Sequence, residues 1–330
     1  MSQPQPAPLD ARIAVTLSTI VYKRPTARRK ERRAAMQQAL ADPELPTENR
    51  WRLVWGPVTV MENTSFIAEG PVLGSGPQRQ YAYAIRGTVI EPWNLIEDGL
   101  DGLGLHDAPW NSSPGVQISD GMTIGWKNLT KAKDDGTTAL QFLRGVAPGS
   151  QLIVTGHSLG AMLASMMALY LHDELSPGVG VVPYTFAAPT AGNQAFADAY
   201  AEAFGGAGRY FNCLDIIPKA YAYDDLEQVR HLYPCAGGPQ CQNHYACRHL
   251  VDLAQKIAGH RYVHPGGGTL LQAKAYAEAS DSLRHFAAEA LAQHHVTHYM
   301  WLLGIPLPVI HRLDPSWSPP EVPCPCPESS

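Results

Sequence analysis

Apolar positions in this chain fall into short blocks, and the spacing within each block predicts its element. Residues 10 to 40 carry a helical pattern that Pro25 must interrupt, since proline lacks the N–H a helix interior needs. Arg52 to Val60 reads as a strand, with Gly56-Pro57 marking an edge or a bulge. Tyr81 to Arg86 alternates and stops at Gly87, a strand and a turn. Gly99 to Gly125 is loop-rich and contains Pro109 and Pro114. A short apolar run, Gln151 to Thr155, closes at Gly156, and Ala161 to Glu174 then takes a helical pattern. Val181 to Ala188 is strand-like and ends at Pro189. Asn193 to Phe204 is helical and Arg209 to Leu214 a strand. From 219 to 270 the pattern fades into aromatic, Gly- and Cys-bearing segments, and Ser282 to Gln293 is helical again. Strands alternating with helices predict an α/β fold with a mostly parallel central sheet flanked by helices. We expect one domain over residues 10 to 315, a disordered Pro-rich lead at 1 to 9, and an extended Pro-rich tail at 316 to 330.

Composition narrows the function class. The chain has 330 residues, of which 45% are hydrophobic, enough for a sizeable core. A formal net charge of −5 without long runs of one sign gives no electrostatic footprint for nucleic acid. The basic stretch from Lys23 to Arg33 is either a solvated helix face or a patch drawn to anionic lipid. No secretory signal is visible at the start, so the expected location is the cytoplasm or the outside by a route not visible here. The longest apolar run, Ala161 to Leu171, is too short to span a bilayer.

The chemistry starts at Gly156-His157-Ser158-Leu159-Gly160. This G-x-S-x-G follows a strand-like run and opens a helix, the setting in which a serine on a tight turn projects its hydroxyl into a site. Small residues at 156 and 160 let neighbouring backbone pass close. The N–H of Leu159 would face a developing oxyanion.

These residues resemble the nucleophile elbow of fungal-type, or class 3, lipases within the α/β-hydrolase superfamily. Three more segments fit that family in order. Ile85-Arg86-Gly87-Thr88 resembles its oxyanion segment, Thr185 to Asn193 its Phe-Gly-x-Pro-Arg-x-Gly-Asn segment, and Asn212 to Pro218 its Asp-x-x-Pro segment. Ala187 and Thr190 stand where the family usually has glycine and arginine. The resemblance implies Ser158 as nucleophile and Thr88 with Leu159 as oxyanion hole.

In this fold the acid follows the serine and the base follows the acid. Asp215 sits just after a strand, with Asp224 and Asp225 as rivals in a polar loop. For the base, family members show a His, four residues, a Tyr and an apolar helix. His294 has that spacing to Tyr299, His295 is the close rival, and His298 comes third. Such a set is expected to hydrolyse carboxylic esters, acylglycerols first among them as candidates, through an acyl-enzyme and with no metal or organic cofactor. A phospholipase or acyltransferase would use the same residues. A catalytically silent lipid-binding protein is the reading from a different class.

Residues 89 to 110 follow Thr88 and mix Trp93, Leu95 and Ile96 with acidic residues. In the resembled family a lid lies there, and an amphipathic cover would meet a lipid surface transiently. An ordinary packed helix and loop is the plainer reading. Cys235, Cys241 and Cys247 lie with His231, His244 and His249 in the insertion at about 219 to 270, where a disulfide, free thiols or zinc are all open. Cys213, alone in an apolar stretch, reads as a buried thiol.

Overall fold

The computed structural model describes residues 4–87, 104–110, 113–205, 208–221, 225, 229, 232–233, 261–276 and 283–321. Two helices come first, α1 (Leu9–Ile20) and α2 (Arg29–Leu40). The break between them contains Pro25. The strands β1 (Arg52–Val60), β2 (Asn63–Val72) and β3 (Arg79–Arg86) follow as an antiparallel meander. β4 (Leu105–Asp107) and β5 (Gln117–Ser119) pair as a small ribbon that leads into α3 (Asp120–Lys131). A second ribbon, β6 (Lys133–Asp134) and β7 (Thr137–Thr138), leads into α4 (Ala139–Arg144). Next come β8 (Ser150–His157), α5 (Leu159–Leu175), β9 (Val179–Phe186), α6 (Gln194–Phe204) and β10 (Arg209–Asn212). The described chain ends with β11 (Thr269–Leu271), α7 (Leu283–His294), α8 (Val296–Leu302) and α9 (Leu307–Ile310).

The main sheet has the order β1-β2-β3-β8-β9-β10-β11 among the described residues. Every pairing from β3 onward is parallel. Gly56-Pro57 falls on the edge strand β1, where the register slips between Trp55 and Val58. An edge position suits a proline, because no ladder bond is lost to a missing N–H. β8 is central, and Leu152, Ile153 and Val154 on it are all buried, as a strand covered on both faces requires. On one face α1 packs through Ala14, Leu17 and Ile20. On the other α5 packs through Met162, Leu163 and Met166. α5 is apolar nearly all round because it is buried nearly all round.

Four parts of the chain differ from the sequence expectation. β2 and α3 lack a clean period: eight of the ten β2 positions are buried, so it shows no alternation, and α3 is interrupted by Gly121 and Gly125. Residues 4 to 8, expected to be disordered, are tied down. Ala7 N–H donates to Leu303 O at 3.1 Å, and a side chain at Gly304 would strike Pro6. In the tail, Trp317 packs into the core beside Trp301.

The basic stretch is divided: Arg24, Arg28 and Lys30 are exposed, and the other four residues have internal partners. Lys23 Nζ donates to Leu313 O at 2.7 Å, Arg32 is buried against Thr59 and Pro25 O, and Arg29 and Arg33 both meet Asp134. Arg29, Arg32 and Arg33 clamp α2 to the edge strand β1, while Lys23 ties the chain to Leu313. Cys213 is disulfide-bonded, which corrects the expectation of a buried thiol. Its burial, read from the apolar stretch, does not distinguish the two states. Cys235, Cys241 and Cys247, with the neighbouring His231, His244 and His249, lie outside the described residues.

Candidate active site

The elbow is a steric consequence of its glycines. Ser158 has φ of 60° and ψ of −135°, a conformation that costs a non-glycine residue about 1–3 kcal/mol. It persists because the surroundings fix it. Ser158 N–H donates to Phe186 O at the end of β9, and Ser158 O accepts from Ala161 N–H and Met162 N–H in the first turn of α5. A Cβ at Gly156 would lie 2.3 Å from Gly160 O, and one at Gly160 would lie 2.4 Å from Ile85 O. A Cβ at Gly87 would lie 2.6 Å from both the Gly160 nitrogen and the Leu159 Cβ. The end of β3 at Gly87 therefore runs directly under the elbow. Thr88 itself lies outside the described residues, as do Trp93, Leu95 and Ile96. Leu159 opens α5, so its N–H has no partner within the helix and is available to an oxyanion.

A first prediction follows from these distances. Gly156→Ala should cost several kcal/mol or prevent folding, because both clashing groups are backbone and cannot rotate away. A denaturation midpoint within about 0.5 kcal/mol of the wild type would contradict the packing described here.

Ser158, His294 and Asp215 meet in one hydrogen-bonded line. His294 Nε2 is 2.7 Å from Ser158 Oγ, and His294 Nδ1 is 2.8 Å from Asp215 Oδ2. All three side chains are buried, Asp215 completely. His294 is the last residue of α7 and His295 the N-cap of α8, so the ring sits at a corner between helices. His295 turns the other way, toward Thr297 Oγ1 at 2.6 Å and Asp314. His298 Nδ1 faces Ala292 O and Tyr276 OH. Asp225 Oδ2 lies 3.8 Å from His264 Nε2, and Asp224 falls outside the described residues.

Asp215 is held from two further sides. Its Oδ1 accepts from Ile217 N–H at 2.9 Å, and its Oδ2 accepts from Tyr299 OH at 2.7 Å. Tyr299 served in the sequence only as a spacing mark, and its hydroxyl touching the carboxylate is new. Burial, followed by the charge of Asp215, pushes Tyr299 far above the usual phenol range, so it remains a donor. His157 lies beside His294, with ring centroids 4.7 Å apart. Burial, with His294 and His295 nearby, holds His157 well below the usual imidazole range. A neutral ring at that distance does not oppose positive charge forming on His294.

The two departures from the resembled family have local accounts. Ala187 has φ of 56°, the left-handed region that favours the usual glycine. Thr190 is fully buried, donates to Ala220 O at 3.1 Å and lies 3.0 Å from His264 Nε2, so it joins the elements flanking Asp215 without a buried charge. Among the described residues no group of three His, Cys, Asp or Glu side chains is placed to hold a metal ion.

Residues 82–224 match the family model for lipase (class 3). That match covers less than half of the chain and contains Ser158 and Asp215. Secreted mono- and diacylglycerol lipase A of Penicillium cyclopium is 33% identical over 94 residues, 28% of this chain and 30% of that protein. Its counterpart in Penicillium camembertii matches to the same extent. The chain thus aligns with under a third of the length of these curated relatives. Among solved structures, M37 lipase superposes with a TM-score of 0.76 at 25% identity, over 92% of this chain and 97% of that one. The sheet is that of an α/β-hydrolase, parallel from β3 onward with helices on both faces.

Two buried histidines give a prediction for acid. Burial lowers His298 to about 4 and His264 to about 3. Each is a base whose folded value lies below its unfolded value, so the unfolded chain binds the proton first. Their neutral forms therefore cost nothing above about pH 6.5, and stability falls as the pH drops from there toward the folded values. His298 alone accounts for roughly 3 kcal/mol across that window. Urea unfolding at pH 7 and pH 4.5 should show the loss, and His298→Gln should lose less. Equal losses in the two proteins would assign acid sensitivity elsewhere.

Proposed function

We propose that this protein is a serine carboxylic-ester hydrolase acting on acylglycerols. The single observation that carries the reading is the line Ser158 Oγ, His294 Nε2, His294 Nδ1, Asp215 Oδ2, with contacts of 2.7 and 2.8 Å. In this line His294 Nε2 accepts the hydroxyl proton as Ser158 Oγ attacks the ester carbonyl. The carbonyl π pair moves onto oxygen, and the Leu159 N–H and Thr88 are the donors assigned to that oxyanion. His294 then returns the proton to the departing alcohol. A water, deprotonated by the same ring, attacks the acyl-enzyme and frees the acid. Asp215 keeps Nδ1–H pointed toward itself and stabilises the imidazolium without taking its proton. The similarity to the two Penicillium mono- and diacylglycerol lipases supports this substrate class.

The segment 89 to 110 enters this proposal as the cover of the acyl cleft. Its described end, residues 104 to 110, is anchored. β4 pairs with β5, and Trp110 stacks on Trp126 while donating to Asp173 at 3.0 Å. Among the described residues no helix is long and apolar enough to cross a membrane. The test is a panel of p-nitrophenyl esters of increasing acyl length beside monoacylglycerol, triacylglycerol emulsion and phosphatidylcholine vesicles. Release of fatty acid from the acylglycerols is the expected result. Preference for the phospholipid, or acyl transfer to an added alcohol over water, would replace the reading with a phospholipase or an acyltransferase. No turnover of any ester would leave a lipid-binding protein.

A further inference from the structure

We propose that Asn212 is the positioning residue that sets Asp215 and His294 in register, with Gln293 as its counterpart; this rests on the ester-hydrolase reading above. The acid and the base are 79 positions apart in the chain and come from different elements, so something must fix their relative placement. Asn212 is the last residue of β10, three before the acid, and Gln293 immediately precedes the base. Asn212 Nδ2 donates to Gln293 O at 3.1 Å and to Gln293 Oε1 at 2.8 Å. Its Oδ1 accepts from Leu214 N–H at 2.9 Å, which shapes the turn that delivers Asp215. Its backbone N–H donates to Tyr299 OH at 3.0 Å, and that hydroxyl donates to Asp215 Oδ2. Asn212 thus touches the acid's turn, the acid's tyrosine donor and the base's neighbour at once.

The orientation of both amides is fixed by their partners. Gln293 Nε2 donates to Lys274 O at 2.6 Å and to Glu289 Oε1 at 2.8 Å, so Oε1 must face Asn212. Leu214 N–H requires an acceptor, so Asn212 turns Oδ1 to it and Nδ2 to Gln293. Glu289 is itself anchored by Tyr276 N–H at 2.9 Å. Asn212, Gln293, Glu289 and Tyr299 are all buried, where a satisfied polar network rigidifies its surroundings and a broken one does not relax into water. Neither Asn212 nor Gln293 contacts Ser158 in the hydrogen-bonded line, so their action runs through the Asp215–His294 contact. A displacement of about 1 Å at a reacting group is enough to lose on the order of 100-fold in rate.

The experiment compares wild type, Asn212→Ala, Asn212→Ser and Gln293→Met. It measures kcat and KM on a soluble p-nitrophenyl ester, the pH profile of kcat/KM, the rate of labelling by a fluorophosphonate, and the melting temperature. The groups facing His294 and Asp215 in that profile are His157 at the end of β8, Lys219 in the acid's turn, His295 at the corner, and His298 and Tyr299 on α8. Asn212→Ala should lower kcat and the labelling rate about 10- to 100-fold with KM nearly unchanged. The low-pH limb should also move to lower pH, because an imidazolium less firmly held by Asp215 loses its proton more readily. Asn212→Ser keeps an acceptor for Leu214 N–H and a donor, and should recover part of the loss. Gln293→Met keeps every backbone bond, should fold where Asn212→Ala does not, and should move the same quantities in the same direction. A folded Gln293→Met or Asn212→Ala with wild-type kcat overturns the proposal. So does a fall in kcat with an unmoved limb, which marks general destabilisation. A wild type that the fluorophosphonate does not label overturns the ester-hydrolase reading itself, and this register role with it.

Discussion

Ser158→Ala is expected to lower ester hydrolysis by roughly 10⁵- to 10⁶-fold while leaving the protein folded. The two halves of that result have separate causes. The elbow is held by backbone bonds, from Ser158 N–H to Phe186 O and from Ala161 and Met162 N–H to Ser158 O, and alanine retains all of them. Alanine also accepts a φ of 60° no worse than serine does. What is lost is the only oxygen within reach of His294 Nε2 in the described line, at 2.7 Å. Without it no acyl-enzyme forms, and a fluorophosphonate probe finds no hydroxyl to phosphonylate. The measurement is labelling and fatty-acid release side by side with a thermal melt. Persistent labelling of the alanine variant at Ser158's site would assign the nucleophile to another residue.

How far the sequence carried this site depends on the range of the interaction that fixes each part. The elbow was legible because its constraint is local: a strand, two glycines around a serine and a helix all lie within a few residues of Gly156. The parallel strand β8 was legible for a similar reason, since burial on both faces forces a continuous apolar run, whereas β9 showed itself by alternating buried and more open positions. β2 escaped because eight of its ten positions are buried and it shows no alternation to read. α3 escaped because Gly121 and Gly125 sit in its pattern, and Gly125 is there for contact: a Cβ would strike Leu163 at 2.3 Å. Tyr299 could be marked by its spacing from His294, but not its bond to Asp215, which depends on how α8 returns to β10. Asn212 and Gln293 carry no signature in isolation, since buried amides look like surface ones in a sequence. The redox state of Cys213 likewise depends on where distant chain lies, not on its apolar neighbours.

The choice among adjacent histidines yields the second large effect. His294→Ala should reduce kcat/KM by about 10⁴- to 10⁶-fold, whereas His295→Ala should cost less than about tenfold. Chain position separates them by a single residue, but geometry separates them entirely. As the last residue of α7, His294 directs Nε2 to Ser158 and Nδ1 to Asp215. As the N-cap of α8, His295 bonds Thr297 Oγ1 and approaches Asp314 at 4.0 Å. Its loss would loosen the start of α8 and be felt in the melting temperature before it is felt in the rate. Asp215→Asn should cost about 10⁴-fold, since an amide cannot hold Nδ1–H in place and offers no charge to the imidazolium. The amide would also meet Ile217 N–H and Tyr299 OH, both donors, so one of its two positions must be an NH₂ facing a donor. Asp215→Asn should therefore lose stability as well as rate, by about 1–3 kcal/mol for the donor left unpaired in a buried site. Reversed results for His294 and His295 would move the base by one residue. Near-normal activity in Asp215→Asn would return the acid's role to Asp224 or Asp225 and detach the buried network around Asn212 from the reaction altogether.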